Sequence, residues 1–352
     1  LQGSAVMIPP RSALKKDKLA SEYHRRKIDE LGDPLLVLDK YVDFSALADT
    51  LDRVAPRIIS PKGGRPPFPT EVMVRIIILK HFHNLSDEKM EYQLLDRMSW
   101  QRFCRLTDVI NIPDRNTIWC FEKRIGQEGA CALFEEAKHQ LSAQGFIPRG
   151  GQIIDATLIP VPKQHNKKEE NEQIRQGKTP DNWTANKRCQ KDTEATWTQK
   201  HGKRYFGYKL TINVDTKYKV IRHIATGTAA VHDSPFFEAV LDRSNTSRDI
   251  YADKGYASQM RERALKEQGY RVHIQRKASR NKPLSDCQKG RNKKIAKTRA
   301  RVEHIFGSFS QMGEKFIRTI GQLRANFAML LKATCYDLQR LVYFGKSGIH
   351  AF

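Results

Sequence analysis

The spacing of apolar positions changes character twice along the chain, and those changes define its elements. Over the first 145 residues the spacing is helical. Residues 1 to 34 are polar and basic, with one short helix expected over Ser21 to Leu31, and Leu35 to Val54 reads as a second helix. Thr70 is expected to cap EVMVRIIILKHF and Ser86 to cap DEKMEYQLLDRM, since each hydroxyl precedes a run with helical apolar spacing. A short segment from Trp100 to Leu106 follows, and Asp114 caps RNTIWCFEKRIG, whose exposed face would carry Arg115, Asn116, Lys123 and Arg124. Trp100 and Trp119 are assigned to the core of this bundle. Ser60 to Pro69 (SPKGGRPPFP) is a Pro/Gly loop in which Lys62 and Arg65 either touch a phosphate or stay solvated. Short helices joined by tight turns suit either a helix-turn-helix reader of DNA or a purely structural bundle.

From Gly151 the period falls to two. Gly151 to Pro160 (GQIIDATLIP) is an apolar run between turn residues, so it reads as a short buried strand with Asp155 at its middle. Lys163 to Lys203 is a hydrophilic insertion whose Trp183 and Trp197 either stack on bases or pin the loop to the domain. Tyr208, Leu210, Ile212 and Val214 alternate with polar residues as a second strand, Asp215 to Lys217 turn the chain, and KVIRHIAT returns. Ser234 and Pro235 are expected to open a helix to about Leu241. DIYADKGY is a strand ending on Asp253, with Gly255 allowing a tight exit into a helix from Ala257 to Lys266, and YRVHIQ is a fifth strand. Helical spacing resumes from Ser285 in a long helix carrying Arg299, Arg301 and Glu303. A last helix follows with the apolar stripe Leu323, Phe327, Leu330, Leu331, Thr334, Leu338 and Leu341.

A three-strand meander followed by alternating strands and helices predicts an α/β fold, a mixed sheet with flanking helices, preceded by an all-α region. The expected boundaries are a basic tail and short helix (1–34), a helical DNA-binding domain (35–148), a catalytic α/β domain (149–344) with its insertion at 163–203, and a short tail (345–352).

Composition sharpens this picture. A chain of 352 residues with 39% hydrophobic content can bury ordinary cores, so it is not a disordered protein. A formal charge of +23 points to a polyanionic partner. The excess is uneven: +3 over residues 1–150, +6 over 151–269 and +14 over 270–352, with 12 basic residues against one acidic between Arg271 and Arg301. That run is either a solvated linker or the wall of a nucleic-acid channel, and its lead into the Glu303 helix favours the channel. Lys254, Lys289, Arg291, Lys293, Lys294, Lys297, Arg299 and Arg301 are the candidate phosphate contacts, with Arg115 and Asn116 as candidate base contacts on the helical domain. Six scattered cysteines without a CxxC pair read as free thiols of a reducing compartment. No signal peptide or membrane-length apolar run is visible, so a cytoplasmic protein is expected. No Met begins the chain, and Leu1 to Ser4 are read as foreign to it.

A carboxylate among isoleucines and leucines needs a cation or a donor. For Asp155 alone, pairing with a nearby Lys or Arg suffices. Asp253, 98 residues later on a second strand end, and Glu303, 50 further on a covering helix, change the reading, because three gathered carboxylates repel one another without divalent metal. Oxygen ligands suit Mg²⁺ or Mn²⁺, and two such ions about 4 Å apart stabilise both oxygens of a phosphoryl transfer. Arg299 stands one helical turn before Glu303, where it can hold that carboxylate or a phosphate. Asp192, Asp215 and Asp233 are rivals that sit in the insertion, the hairpin turn and a helix approach, and they are left out.

The sequence resembles the DDE transposases of bacterial insertion sequences, specifically the insertion sequence 5 family, from about Leu51 to Leu341. GRPPFPTEVMVRIIILKHFHNLSDEKMEYQLLDR and PDRNTI match that family's helical domain. IIDATLIPVP, KRYFGYKLTINVD, HDSP, YADKGY and RARVEHIFG match its catalytic core in order. The resemblance implies a ribonuclease H-like catalytic domain, Asp155, Asp253 and Glu303 as metal-binding catalytic triad, and Arg299 to Glu303 as the R-x3-E part of the signature. Ala296 replaces the signature Tyr and Ser310 the signature Lys, with Lys315 or Lys297 as substitutes. It further implies a nucleoid-associated bacterial transposase that binds terminal inverted repeats as a homodimer of paired ends, cleaves there, and joins the 3′-OH to target DNA with Mg²⁺ or Mn²⁺. The alternatives are a metal-dependent nuclease of the same fold that does not join strands, and a transposase-derived DNA-binding regulator.

Overall fold

A computed structural model describes residues 16–57, 63, 66–200, 202–279, 283–313 and 316–349. Lys62, Arg65 and Lys315, named above as candidate DNA contacts, lie outside the described residues.

The N-terminal helices are α1 (Ala20–Leu31), α2 (Pro34–Tyr41), α3 (Phe44–Val54), α4 (Thr70–Phe82), α5 (Asp87–Asp96), α6 (Met98–Phe103) and α7 (Arg115–Ala143). Caps decide several of these boundaries. The helix expected over Leu35 to Val54 is two helices, because Asp43 turns its carboxylate onto the Ala46 N–H at 2.9 Å and starts α3 afresh. Ser86 and Asp114 cap α5 and α7 as expected, through the Lys89 and Thr117 N–H groups. Thr70 does not cap α4. It is the first helical residue, and its hydroxyl donates instead to Asp52 at 2.7 Å. α7 runs far past the expected segment by kinking at Gly126, whose φ of 50° and ψ of −157° few residues with a Cβ tolerate.

Six strands follow: β1 (Gln152–Pro160), β2 (Thr196–Lys200), β3 (Lys203–Asp215), β4 (Ile221–Thr228), β5 (Asp249–Ala252) and β6 (Arg271–Ile274). β1 and β4 both pair antiparallel with β3, β5 joins β1 in parallel, and β6 joins β5 in parallel. The order β4-β3-β1-β5-β6, with β2 on the first residues of β3, is the mixed sheet of the ribonuclease H-like resemblance. Gly151 is required where β1 begins, since its φ is +89° and a Cβ would lie 2.8 Å from the Asp249 carbonyl oxygen.

The insertion is ordered rather than a loop. It forms α8 (Lys168–Arg175), α9 (Ala185–Gln190) and β2. Buried Glu170 ties it together, accepting from the Trp183 indole at 2.8 Å and from Lys187 at 2.6 Å. Trp183 therefore closes the insertion on itself through Glu170, whereas Trp197 is 49% exposed on β2. The helix expected after Pro235 is a single 3₁₀ turn, Ser234–Phe236. Arg261 donates to both the carbonyl and the hydroxyl of Ser234, a tertiary tie made at the point where helix would continue. Arg261 belongs to α10 (Gln259–Glu267), which leads into β6. Two long helices, α11 (Asp286–Gln311) and α12 (Gln322–Lys346), complete the chain, and Ser285 with Gln288 forms a capping box at the start of α11.

α12 departs most from its sequence pattern. Instead of burying one stripe it is buried on every side from Ala328 to Leu338, while Leu323 is 74% exposed. The reason is its position: one side packs on β4 and β3, the other on α7, α4 and α2. One continuous core runs from Leu38 through the sheet to Phe344, so the helices before residue 148 and the sheet after it share their apolar interior. Polar groups of α12 grip the β3–β4 hairpin. Tyr336 donates to the Lys219 carbonyl at 2.9 Å, Arg340 to that of Tyr218, and Asp337 accepts the Ile221 N–H at 2.9 Å.

Asp337 is fully buried and its second oxygen has no partner among the described residues. Burial pushes its carboxyl up to about 8, with the Ile221 hydrogen bond and the Arg222, Lys138 and Arg340 charges opposing. The folded chain then retains a proton that the unfolded chain, with its ordinary carboxyl near ~3.9, releases. This group's contribution to stability therefore falls as pH rises from about 4 to about 8. Asp337→Asn should flatten that slope, raising the melting temperature at pH 8 relative to pH 5 when both proteins are melted at the two values. An equal loss at both would mean that the carboxylate is ionised and required.

Candidate active site

Register builds the site. β1 and β5 pair in parallel from Gln152 with Ile250 to Ile154 with Ala252, and there β5 ends while β1 continues along β3. The next residue of each strand is an aspartate, so Asp155 and Asp253 come side by side where the sheet opens. β1 has an antiparallel neighbour on one flank and a parallel one on the other, and a ligand crevice in an open α/β sheet forms at such a reversal of strand order. Each aspartate anchors one oxygen locally. Asp155 Oδ1 accepts the Ala156 N–H at 2.9 Å, and Asp253 Oδ1 accepts that of Lys254 at 2.7 Å.

α11 crosses these strand ends, packing on β1 and β5, and delivers a cation between them. Arg299 Nη2 lies 2.6 Å from Asp155 Oδ2, and Nη1 lies 3.4 Å from Asp253 Oδ1 and 3.0 Å from Gln275 Oε1. Gln275, just past β6, is tied to α11 through the Asn292 carbonyl. Burial pushes the Asp155 carboxyl above the ordinary carboxylate range, Arg299 pulls it down, and Asp253 adds to the rise. Glu303, one turn further along α11, is exposed, and its side chain makes no hydrogen bond or ion pair with a described residue. The structure thus brings Asp155 and Asp253 together with Arg299, and leaves the Glu303 carboxylate apart.

The rival carboxylates are occupied elsewhere. Asp192 accepts from the Tyr208 hydroxyl and from the Glu194, Ala195 and Gly321 N–H groups. Asp215 knits the hairpin through Gly150, Tyr218 and Asn245, and Asp233 pairs with Lys209 at 2.7 Å.

The basic candidates divide by what they touch. Arg291 donates to the Ile274 and Val272 carbonyls and Arg301 to that of Thr216, so both serve the frame. Lys289 pairs with exposed Asp286 at 3.0 Å. Lys254, Lys293, Lys294 and Lys297 are exposed, the last three on the first half of α11. Ala296 is exposed and Ser310 bonds back to the Phe306 carbonyl. On α7, Arg115 and Asn116 are exposed at the capped N-terminus, and Asn116 lines a cavity of about 470 Å³ with Arg57 and Arg124. Trp100 is core as expected. Trp119 is not: it is 49% exposed, with the Lys123 ammonium 5.2 Å from its ring centre.

Gln275 and Asn292 are site residues that the sequence reading missed. Nothing in their local pattern marks them, since an amide at a strand end is ordinary until the helix that it meets is known.

The donor chemistry of this cleft suits a hard divalent cation. Both aspartates offer carboxylate oxygens, and a guanidinium already stands between them where positive charge is required. Among the described residues no three His, Cys, Asp or Glu side chains are gathered as a ready ligand set. Asp155 and Asp253 lie side by side here, while Glu303 stands apart on α11.

Residues 147–338 match the family model described as Transposase DDE domain, and residues 22–124 match that described as Transposase domain (DUF772). Among solved structures the chain is similar to a piggyBac transposase in a synaptic complex with hairpin DNA, at 13% identity and a TM-score of 0.48, over 92% of this chain and 77% of that one. The DDE domain model spans more than half of the sequence and contains the two paired aspartates, their arginine and Glu303, and on that match the chain belongs to the DDE transposases.

Proposed function

We propose that this transposase binds the terminal inverted repeats of its element, hydrolyses phosphodiester bonds at the ends and joins the freed 3′-OH to target DNA, with Asp155, Asp253 and Glu303 as its catalytic carboxylates. The observation that carries the assignment is the pairing of Asp155 with Asp253 at the point where β5 leaves β1, inside the matched DDE domain. Transposases of this family use divalent metal. The two aspartates and Glu303 would hold Mg²⁺, or Mn²⁺ in its place, and a pair of such ions would activate water or the DNA hydroxyl and stabilise the leaving oxygen. The protein's own part would be to fix geometry: the parallel register brings the aspartates together, and α11 carries Glu303 one turn beyond Arg299.

DNA handling is proposed to be divided. Exposed Lys254, Lys293, Lys294 and Lys297 hold the backbone near the cleft, with Lys289 at the start of the same helix. Residues 35–148 read sequence through Arg115 and Asn116, as an almost neutral region gains little from general attraction to DNA. Pairing of two element ends calls for a homodimer, on the nucleoid of the bacterial cytoplasm. Among the described residues no helix is long and apolar enough to cross a membrane.

Asp155→Asn, Asp253→Asn and Glu303→Gln should each lower cleavage by on the order of a thousandfold or more, as removing one member of a catalytic unit does, while leaving duplex binding largely intact. Labelled element ends with Mg²⁺ and a supercoiled acceptor plasmid report cutting and joining together. Near-normal cleavage by any one variant removes that residue from the triad, and cutting without joined product makes the protein a nuclease.

Sequence reading and backbone holding should separate in a competition shift assay with the full chain. Arg115→Ala or Asn116→Ala should cost about 1 to 3 kcal/mol on the inverted repeat if the side chain makes a bidentate base contact, with far less effect on scrambled duplex. Removing charge at Lys293, Lys294 and Lys297 should weaken both duplexes alike and flatten the salt dependence of binding. A salt slope that does not move would make the lysines a solvated face.

A further inference from the structure

The reading of Asp155 and Asp253 as metal carboxylates leaves a question that the geometry itself raises, because a guanidinium already holds one oxygen of each aspartate. Resting on that reading, we propose that Arg299 is an exchangeable internal counter-ion. In the DNA-free protein it holds the two aspartates closed to metal; a DNA phosphate draws it away, so that metal binding and DNA binding are coupled at one site.

Arg299 Nη2 sits 2.6 Å from Asp155 Oδ2 and Nη1 3.4 Å from Asp253 Oδ1. The remaining oxygen of Asp155 faces its own backbone. Those contacts occupy one oxygen of each carboxylate that would hold a metal, so guanidinium and metal would compete for them. The contact to Asp155 is largely enclosed, at 16% and 13% exposed, so solvent screens it little, whereas Asp253 is 39% exposed.

The grip is nevertheless incomplete. Arginine has five N–H donors in a rigid fork, and the Nε of Arg299 is buried without a partner among the described residues. The contact to Asp253 is long, and the third contact goes to a neutral amide, Gln275. A phosphate offers that fork paired, charged acceptors of matching geometry. The exposed Lys254, next in sequence to Asp253, offers a strand a further contact beside this guanidinium, whereas Lys293 and Lys297 lie on a different face of α11 from Arg299. With Arg299 turned to phosphate, Asp155 and Asp253 are left as adjacent unpaired carboxylates and their repulsion favours a divalent cation. Glu303, exposed and uncommitted one turn on, is free to complete the set. Linkage requires reciprocity: whatever factor DNA adds to metal affinity, metal adds to DNA affinity.

The test is Mn²⁺ binding by the full chain, read from the electron paramagnetic resonance signal of free Mn²⁺, with and without a linear duplex of scrambled sequence, since a phosphate contact needs no particular sequence. Without DNA, Arg299→Gln should bind Mn²⁺ more tightly than the unaltered protein, on the order of 5- to 150-fold, the span of ordinary coupling. Duplex should tighten Mn²⁺ binding by the unaltered protein and leave Arg299→Gln almost unmoved. An Arg299→Gln protein that binds Mn²⁺ no more tightly, or that gains as much from duplex as the unaltered chain, overturns the exchange and makes Arg299 a structural ion pair. Arg299→Lys, with a point charge able to hold one aspartate, should fall between, and it carries the same test if circular dichroism finds the Gln variant unfolded. Adding Asp155→Asn and Asp253→Asn to Arg299→Gln should abolish the tight binding. If it persists, the metal lies elsewhere and the carboxylate assignment itself fails, an outcome distinct from failure of the exchange.

Discussion

Two carboxylates side by side at the end of a buried sheet cannot stand without positive charge, and much of this molecule is arranged to supply it. The parallel register of β1 and β5 creates the requirement by placing Asp155 beside Asp253. α11 answers it with Arg299, Gln275 steadies the guanidinium, and Asn292 ties Gln275 back to the helix. The backbone carbonyls of β6 receive Arg291, and Thr216 beyond the end of β3 receives Arg301, so the helix that carries the counter-ion is bolted to both flanks of the cleft. Basic residues of one run therefore have different duties: some are bound to carbonyls and hold the frame, others face solvent and are available to phosphate.

The second organising constraint is α12. A helix buried on all sides must have partners on all sides, and here they come from both ends of the chain, the sheet on one side and α7, α4 and α2 on the other. The helical region and the catalytic sheet are consequently joined through a common core, rather than tethered by a linker at residue 148.

Sequence and structure agree where one local force dominates. Asp114 and Ser86 each cap a helix as read, because a short polar side chain before an amphipathic run satisfies orphan N–H groups wherever the helix later packs. The β3 alternation and the strand ending on Asp253 are legible for a similar reason, burial of one face or of a whole short strand. Readings fail where a tertiary partner outweighs the local preference. Thr70 gives its hydroxyl to Asp52, Arg261 takes over the carbonyl of Ser234, and Trp119 is left on the surface because its helix faces solvent there.

By itself the sequence determined that the chain is a basic, two-part α-then-α/β protein, that Asp155, Asp253 and Glu303 are its candidate carboxylates, and that Arg299 stands a turn from Glu303. The first and last follow from periodicity, charge and spacing, which are local, and the choice of the three carboxylates follows from the resemblance to a known family. Only the tertiary structure decided that Arg299 faces the aspartates rather than Glu303, that Asp192, Asp215 and Asp233 are occupied structurally, and that α12 serves two layers at once. Each depends on which element crosses which, and that is fixed by strand register and shared burial between residues as much as 257 positions apart, a separation at which sequence pattern carries no geometric information.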